Sequence, residues 1–125
     1  MVQEGMSNLQ KILPAKFFCT TSGSEPVREW LRDLNREDRY IIGEDIKTLK
    51  FGWPIGMPLC RSITGHKDLW EIRSKITGGR IARVIFYVRE GEMILLHGFI
   101  KKTQKTLPND LDVAMKRRKE HEKNV

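Results

Sequence analysis

The chain has few cysteines and no long apolar run, and each shortage excludes a class of protein. Its two cysteines, Cys19 and Cys60, form no C-x-x-C motif and have no histidine at zinc-ligand spacing. A metal site is therefore not predicted, and both thiols are expected to be reduced, with a single disulfide left open. No segment approaches the ~18 apolar residues that span a membrane, and the N-terminus lacks a signal-peptide pattern. We expect a cytoplasmic protein without metal or cofactor.

The sequence also lacks internal repeats, low-complexity linkers and breaks in composition. A chain of 125 residues has the length of one domain. Such a domain buries roughly two thirds of its unfolded surface and needs neither disulfide nor metal for its core. We expect a single domain over residues 1–125, with flexible ends at 1–15 and 120–125.

Positive charge is abundant and unevenly distributed. The chain carries 23 Lys and Arg against 16 Asp and Glu, a net charge of +7. Residues 1–68 hold 10 basic and 9 acidic side chains, whereas residues 69–125 hold 13 and 7. A positive field on one half attracts polyanions, so nucleic acid is the first partner class to consider. Simple solubility is the alternative reading of charge alone.

Residues 16–57 predict a strand followed by a helical hairpin. The run 16–21 predicts a short strand, Ser24-Glu25-Pro26 predicts a helix start, and a second helix fits residues 37–50. Glycines and prolines in residues 51–58 end that helix. The apolar face of the first helix consists of Val27, Trp30, Leu31 and Leu34. In the second helix, the side chains expected to face inward are Tyr40, Ile41, Ile42, Ile46 and Leu49. We expect this hairpin to cover one face of a sheet.

Residues 58–123 predict strands joined by tight turns, then a helix. Residues 58–64 fit a short edge strand, residues 69–76, 80–89 and 92–101 an antiparallel meander, and residues 108–123 a basic helix. Three-residue loops at 77–79 and 89–91 would pair Ile72 with Val84, Trp70 with Phe86, Val84 with Leu96 and Phe86 with Ile94. Those loops produce one apolar face, and each misplaced apolar side chain would cost about 1.5–3 kcal/mol.

This register places a basic cluster on the opposite face of the meander. Arg73, Arg83 and His97 are predicted side by side, surrounded by Glu71, Lys75, Tyr87, Phe99 and Lys101. Adjacent arginines repel each other unless an anion lies between them, and a phosphate accepts bidentate guanidinium contacts. The cluster is therefore a candidate phosphate-binding site.

Three segments together resemble the RelE/ParE toxin superfamily, closest to its HigB-like, phage-derived branch. They are L-W-E-I-R at 69–73, R-V-I-F-Y-V at 83–88 and L-L-H-G-F-I-K-K-T-Q-K-T at 95–106, and the resemblance covers about residues 16–118. It implies an α+β, RelE-like fold: a small antiparallel sheet with an N-terminal helical hairpin on one face, and a C-terminal helix.

The resemblance also implies an activity and partners. Its ribonuclease members cleave mRNA on the ribosome without metal, leaving a 2′,3′-cyclic phosphate and a 5′-hydroxyl. A cognate antitoxin, usually a helix-turn-helix protein, neutralises such toxins and alone contacts operator DNA. Arg83 matches the family's strand arginine, and Arg73 and Lys101 or Lys102 match the basic positions around it. His97 and Glu71 complete the candidate catalytic set as groups suited to proton transfer. The candidate RNA-binding residues are Lys75, Phe99, Gln104 and Lys105.

Departures from the ribonuclease pattern leave alternatives open. Where the archetypal enzyme has two strand lysines, this chain has apolar or acidic residues near Leu69 and Glu71. The C-terminal tyrosine of that enzyme also has no counterpart here. Either Glu71 with His97 transfers the protons or this branch cleaves differently, and His97 has a structural reading as well. A gyrase-inhibiting toxin of the ParE kind and a non-enzymatic basic nucleic-acid-binding regulator are the competing functions.

Overall fold

The computed structural model describes residues 12–101 and 108–125, which form an α+β domain. The strands are β1 (Ala15–Phe17), β2 (Cys60–Ser62), β3 (Leu69–Lys75), β4 (Ile81–Arg89) and β5 (Glu92–Lys101), and the helices are α1 (Pro26–Arg32), α2 (Arg36–Gly52) and α3 (Pro108–Lys123). The sheet order is β1-β5-β4-β3-β2. The α+β class is confirmed. The sheet is mixed rather than antiparallel, because β1 runs parallel to β5.

The central meander and the last helix lie where the sequence predicts them, while the outer strands are shorter. The predicted strand 16–21 ends at Phe17 because the chain then turns, with the Thr20 amide donating to the Ser24 carbonyl at 2.8 Å. Regular structure extends into both terminal ranges for which we expected flexibility, since β1 begins at Ala15 and α3 continues to Lys123. The part of the flexibility prediction that concerns residues 1–11 lies outside the described residues.

Local residues determine where the two helices of the hairpin begin. Pro26 occupies the first turn of α1, where its missing N–H costs nothing. Asn35 caps α2, its side chain accepting from the Asp38 amide at 2.8 Å. The inward placement of Tyr40 is wrong: its side chain is 67% exposed, while Ile42 is fully buried. Two residues correspond to about 200° around a helix, so these side chains point in nearly opposite directions.

The buried Asp38 carboxylate ties α2 to the β3–β4 turn. It accepts from the Thr77 amide at 3.0 Å, from the Thr77 hydroxyl at 2.8 Å and from Arg80 at 2.6 Å. Burial raises the pKa of Asp38, but the hydrogen bonds from Thr77 and Arg80 outweigh it and hold that pKa below its ordinary value. The turn is thereby held against the start of the helix.

The predicted three-residue loop between β3 and β4 is confirmed. Ile72 pairs with Val84 and Trp70 with Phe86. Gly78 and Gly79 have φ of 71° and 69°, a left-handed backbone conformation that residues with a Cβ adopt only at a steric cost.

The predicted three-residue loop between β4 and β5 is wrong. Arg89 pairs with Glu92, so the loop has two residues, and both Glu90 and Gly91 have positive φ, as a type I′ turn requires. A bulge at Leu96 then shifts the register: Phe86 pairs with Leu95, and Val84 with Gly98. The pairs Val84–Leu96 and Phe86–Ile94 are therefore not formed.

This register gives the sheet two buried faces. Met93 and Leu95 pack with α1 and α2 on the first face, whereas Ile94 and Leu96 point to the second face. The second face is covered by α3 through Leu111, Ala114 and Met115. The side chains of its core are Phe18, Leu69, Ile85, Tyr87, Ile94, Leu96, Phe99 and Ala114.

The two cysteines are free thiols, so the disulfide left open by the sequence is not formed between them. Cys19 is exposed and Cys60 is buried in the first core. Burial, together with the charge of the Glu71 carboxylate, raises the pKa of Cys60 to about 12. Cys60 is therefore an unreactive core side chain.

Gly98 provides the sharpest test of this packing. A Cβ built there would lie 2.3 Å from the Trp30 ring of α1. We expect Gly98→Ala to lower the free energy of unfolding by about 1–3 kcal/mol, as overpacking a core does. Urea denaturation monitored by tryptophan fluorescence measures this.

Gly43→Ala is the matched control, because its Cβ would meet nothing within 4 Å. Alanine replaces glycine there inside a helix, so stability should rise by about 0.5–1 kcal/mol. Equal stability of Gly98→Ala and the unmodified chain would contradict the packing of α1 on β5.

Candidate functional site

Three arginines surround one carboxylate on the second face of the sheet. Arg73 and Arg83 are direct cross-strand partners, as predicted, and Arg61 lies opposite Glu71. Arg61 Nε is 2.9 Å from Glu71 Oε1, and an Arg83 terminal nitrogen is 3.6 Å from Glu71 Oε2. We call these four residues the arginine cluster.

The arginine cluster carries a surplus of positive charge in a partly dry setting. Arg83 and Glu71 are fully buried, Arg73 is half-buried, and 34% of the Arg61 side chain is exposed. Burial lowers the pKa of Arg83, Glu71 opposes this, and Arg73 and Arg61 lower it further. A guanidinium remains protonated at any physiological pH. An anion reaching Arg61 and Arg73 would therefore relieve their mutual repulsion.

His97 is not beside Arg83, which corrects the predicted arrangement. Phe99 lies opposite Arg83, and His97 lies opposite Ile85, because the bulge at Leu96 displaces β5. The His97 ring stacks on Phe99 with centroids 5.3 Å apart. His97 therefore lies two residues along β5 from Phe99, the residue opposite Arg83.

Both ring nitrogens of His97 face groups of α3. Nε2 lies 2.8 Å from Asp110 Oδ1, and Nδ1 lies 3.4 Å from an Arg117 terminal nitrogen. Burial lowers the pKa of His97, the Asp110 carboxylate opposes this, and Arg117 and Lys101 lower it further. A neutral ring that donates from Nε2 to Asp110 and accepts at Nδ1 from Arg117 satisfies both contacts. This arrangement matches the structural reading of His97.

The other residues predicted for the site do not join the arginine cluster in the described part of the chain. Lys101 Nζ is 3.2 Å from Asp110 Oδ2 and 5.1 Å from the Phe99 ring centroid, with only 7% of its side chain exposed. Lys75 is exposed at the end of β3. Lys102, Gln104 and Lys105 lie outside the described residues.

Sequence reasoning missed two features of this face. Arg61 joins the arginine cluster, and the pairing of β2 with β3 would have identified it, because that register places it opposite Glu71. The second feature is a hydrogen bond between the Tyr87 hydroxyl and His121 Nδ1, with Arg118 over the Tyr87 ring at 4.8 Å. No local pattern signals this contact, since it joins β4 to the last turn of α3.

Two arginines of the basic run 116–119 point inward and hold α3 to the sheet. Arg117 donates to the Leu96 carbonyl at 2.9 Å, and Arg118 to the Lys67 carbonyl at 2.7 Å. Lys116 and Lys119 are exposed. The run is therefore neither wholly solvated nor wholly available to a ligand.

Comparison with known proteins identifies one family. The model for the family described as phage-derived protein Gp49-like (DUF891) matches residues 29–119. No curated protein matches the chain. Within residues 12–101 and 108–125, no helix could cross a membrane and no three His, Cys, Asp or Glu side chains could together hold a metal ion.

His97 and His121, which link α3 to the sheet, predict a pH dependence of stability. Burial lowers the pKa of both His97 and His121, so the unfolded chain binds more protons than the folded one below about pH 6.5, the ordinary histidine pKa. Stability is full above that pH and declines as the pH falls through the lowered pKa values. Urea unfolding at pH 7.5 and 5.5 measures the decline.

Glutamine keeps a side-chain amide near each partner but does not titrate. His97→Gln and His121→Gln should each reduce the loss of stability between the two pH values, and the double variant should reduce it most. An unchanged loss in the double variant would assign the effect to other groups.

Proposed function

This chain belongs to the phage-derived Gp49-like family, and from that membership and its arginine cluster we propose that it is an RNA-cleaving toxin. The family is associated with toxin–antitoxin systems. In this proposal the protein acts in the cytoplasm on mRNA bound to the ribosome. A cognate antitoxin, of the helix-turn-helix kind, neutralises it and makes any contact with operator DNA.

The arginine cluster is the observation that supports this proposal most. The guanidinium groups of Arg61 and Arg83 contact the Glu71 carboxylate, and Arg73 is the cross-strand partner of Arg83. The sheet thus holds the cluster in place before any ligand arrives. A phosphate diester has two non-bridging oxygens, which the planar fork of a guanidinium can bind bidentately. Preorganised charge in a partly dry site stabilises a developing oxyanion more strongly than the same charge in water.

The proposed reaction is an internal transesterification. The 2′-hydroxyl oxygen attacks the adjacent phosphorus and gives its proton to solvent water. The bond from phosphorus to the 5′ oxygen breaks, and that oxygen takes up a proton from solvent. The products are a 2′,3′-cyclic phosphate and a 5′-hydroxyl, and atoms balance without metal. Arg73, which is half-buried, would contact the phosphorus oxygens in the transition state, and its fully buried cross-strand partner Arg83 would add positive charge next to it.

Glu71 and His97 take positioning roles in this proposal. The Glu71 carboxylate is engaged with Arg61 and Arg83, and this contact fixes the orientation of both guanidinium groups. His97 is engaged with Asp110 and Arg117 and fixes the start of α3. The main contribution of the protein would then be electrostatic stabilisation, which is often the largest single catalytic effect.

Mapping of mRNA ends in cells tests the reaction class. Brief expression of the protein should produce new 5′-hydroxyl ends in translated mRNA, phased by codon, with plasmid supercoiling unchanged. Altered supercoiling with intact mRNA would support a gyrase inhibitor and overturn the ribonuclease. Intact mRNA, normal supercoiling and normal growth would favour a non-enzymatic regulator.

Arg83→Lys tests the arginine cluster more cleanly than alanine does. Lysine keeps the buried positive charge beside Glu71, whereas alanine would leave that carboxylate with less compensation, which is strongly destabilising. We expect Arg83→Lys to reduce cleavage and to abolish growth arrest, because an ammonium cannot reproduce the planar guanidinium contact with Glu71 that orders the arginine cluster.

Arg73→Gln should reduce cleavage about 100-fold or more, the usual effect of removing one oxyanion donor. Arg28→Gln is the control on α1, far from this face. Thermal unfolding must show all three variants folded. Full toxicity of a folded Arg83→Lys variant would remove this residue from the mechanism.

A further inference from the structure

We propose a second phosphate-binding position, in a cleft between the β2–β3 turn and α3, for the same single-stranded RNA. This inference rests on the proposed function. The cleft has a volume of about 320 Å³ and is lined by Gly65, His66, Lys67, Met115, Arg118, Lys119 and Glu122. We call it the turn cleft.

The lining of the turn cleft is predominantly cationic. Lys67, Arg118 and Lys119 contribute three positive charges, and Glu122 is the one acidic side chain in the lining. Lys67 and Lys119 are exposed and stand on opposite walls, the turn and the helix. Two lysines facing each other across a cleft repel unless an anion lies between them, so the cleft favours a negatively charged occupant.

Arg118, the third cation of the lining, is held in place by contacts with three neighbouring residues. Its guanidinium lies over the Tyr87 ring at 4.8 Å, donates to the Lys67 carbonyl at 2.7 Å and contacts the Glu122 carboxylate at 3.5 Å. These contacts hold both the arginine and the turn before a ligand binds. A preorganised cation costs less conformational entropy on binding than a free side chain.

The position of the turn cleft relative to the arginine cluster favours a chain-like ligand. β2 leads directly from Arg61 to the turn that carries Lys67, along one edge of the sheet. On the neighbouring strands, Leu69 pairs with Tyr87 beside the cleft, and Arg73 pairs with Arg83 in the cluster. Four residues of strand correspond to about 13 Å.

Two cationic positions separated by that distance along one edge can contact two phosphates of the same extended nucleic acid strand. Single-stranded RNA presents this repeat of negative charge regardless of sequence, so the turn cleft would add affinity and orientation without base specificity. An acidic segment of a protein partner is the competing occupant.

The test measures how the affinity for RNA depends on salt. The probe is a labelled 2′-O-methyl oligonucleotide, which lacks the free 2′-hydroxyl and is not cleaved. Lys67→Gln/Lys119→Gln should reduce the slope of log affinity against log salt by about 1.4, because each phosphate contact on a single strand contributes about 0.7. Affinity at low salt should fall about tenfold or more.

Arg36→Gln/Lys47→Gln is the matched control, since it removes the same charge from exposed positions of α2, on the other side of the sheet. Its slope should equal that of the unmodified chain. Arg73→Gln should lower the slope independently, so that its effect adds to that of the turn-cleft variant.

The outcomes separate the inference from the proposed function. If the unmodified chain binds the probe and the turn-cleft variant has the same slope, the inference is overturned while the ribonuclease proposal stands. If the unmodified chain does not bind the probe, the inference is overturned and mRNA end mapping decides the function separately. If the variant loses antitoxin affinity but no RNA affinity, the turn cleft is a protein-binding surface and the inference is overturned.

Discussion

The arrangement of this domain depends on the pairing of β4 with β5. A two-residue turn at Glu90-Gly91 brings Arg89 opposite Glu92, and the bulge at Leu96 absorbs the extra residue that follows. As a result Ile94 and Leu96 point away from the helical hairpin. The second face of the sheet therefore carries its own apolar core and requires a cover, which α3 provides with a thin stripe of Leu111, Ala114 and Met115.

Because the apolar stripe on α3 is narrow, polar contacts also hold this helix on the sheet. Asp110 meets His97 and Lys101, and Arg117, Arg118 and His121 contact the sheet or its turns. Several residues that a sequence reading assigns to ligand binding are thus engaged in holding the helix. The positive charge that can still meet a ligand lies in the arginine cluster around Glu71 and in the turn cleft. Both lie on the β2–β3 side of the sheet.

Much of the fold was accessible from local pattern, for identifiable reasons. The β3–β4 pairing was predictable because only a three-residue loop puts Ile72 and Trp70 on the same face as Val84 and Phe86. The β4–β5 pairing was not, because apolar residues occupy four consecutive positions, 93–96, and periodicity then cannot say which face each takes. That single ambiguity moved His97 from beside Arg83 to beside Phe99 and α3.

The sequence by itself determined the α+β class, the helical hairpin, the meander and the Arg73–Arg83 pair, because alternation, turn glycines and capping residues act over a few neighbouring positions. The tertiary structure alone decided which basic residues are available. Burial of Arg83 and Glu71, the ion pair with Arg61 and the inward turn of Arg117 and Arg118 all follow from how α3 and β2 pack. Contacts between residues far apart in the chain leave no periodic trace, so only the packed domain reveals them.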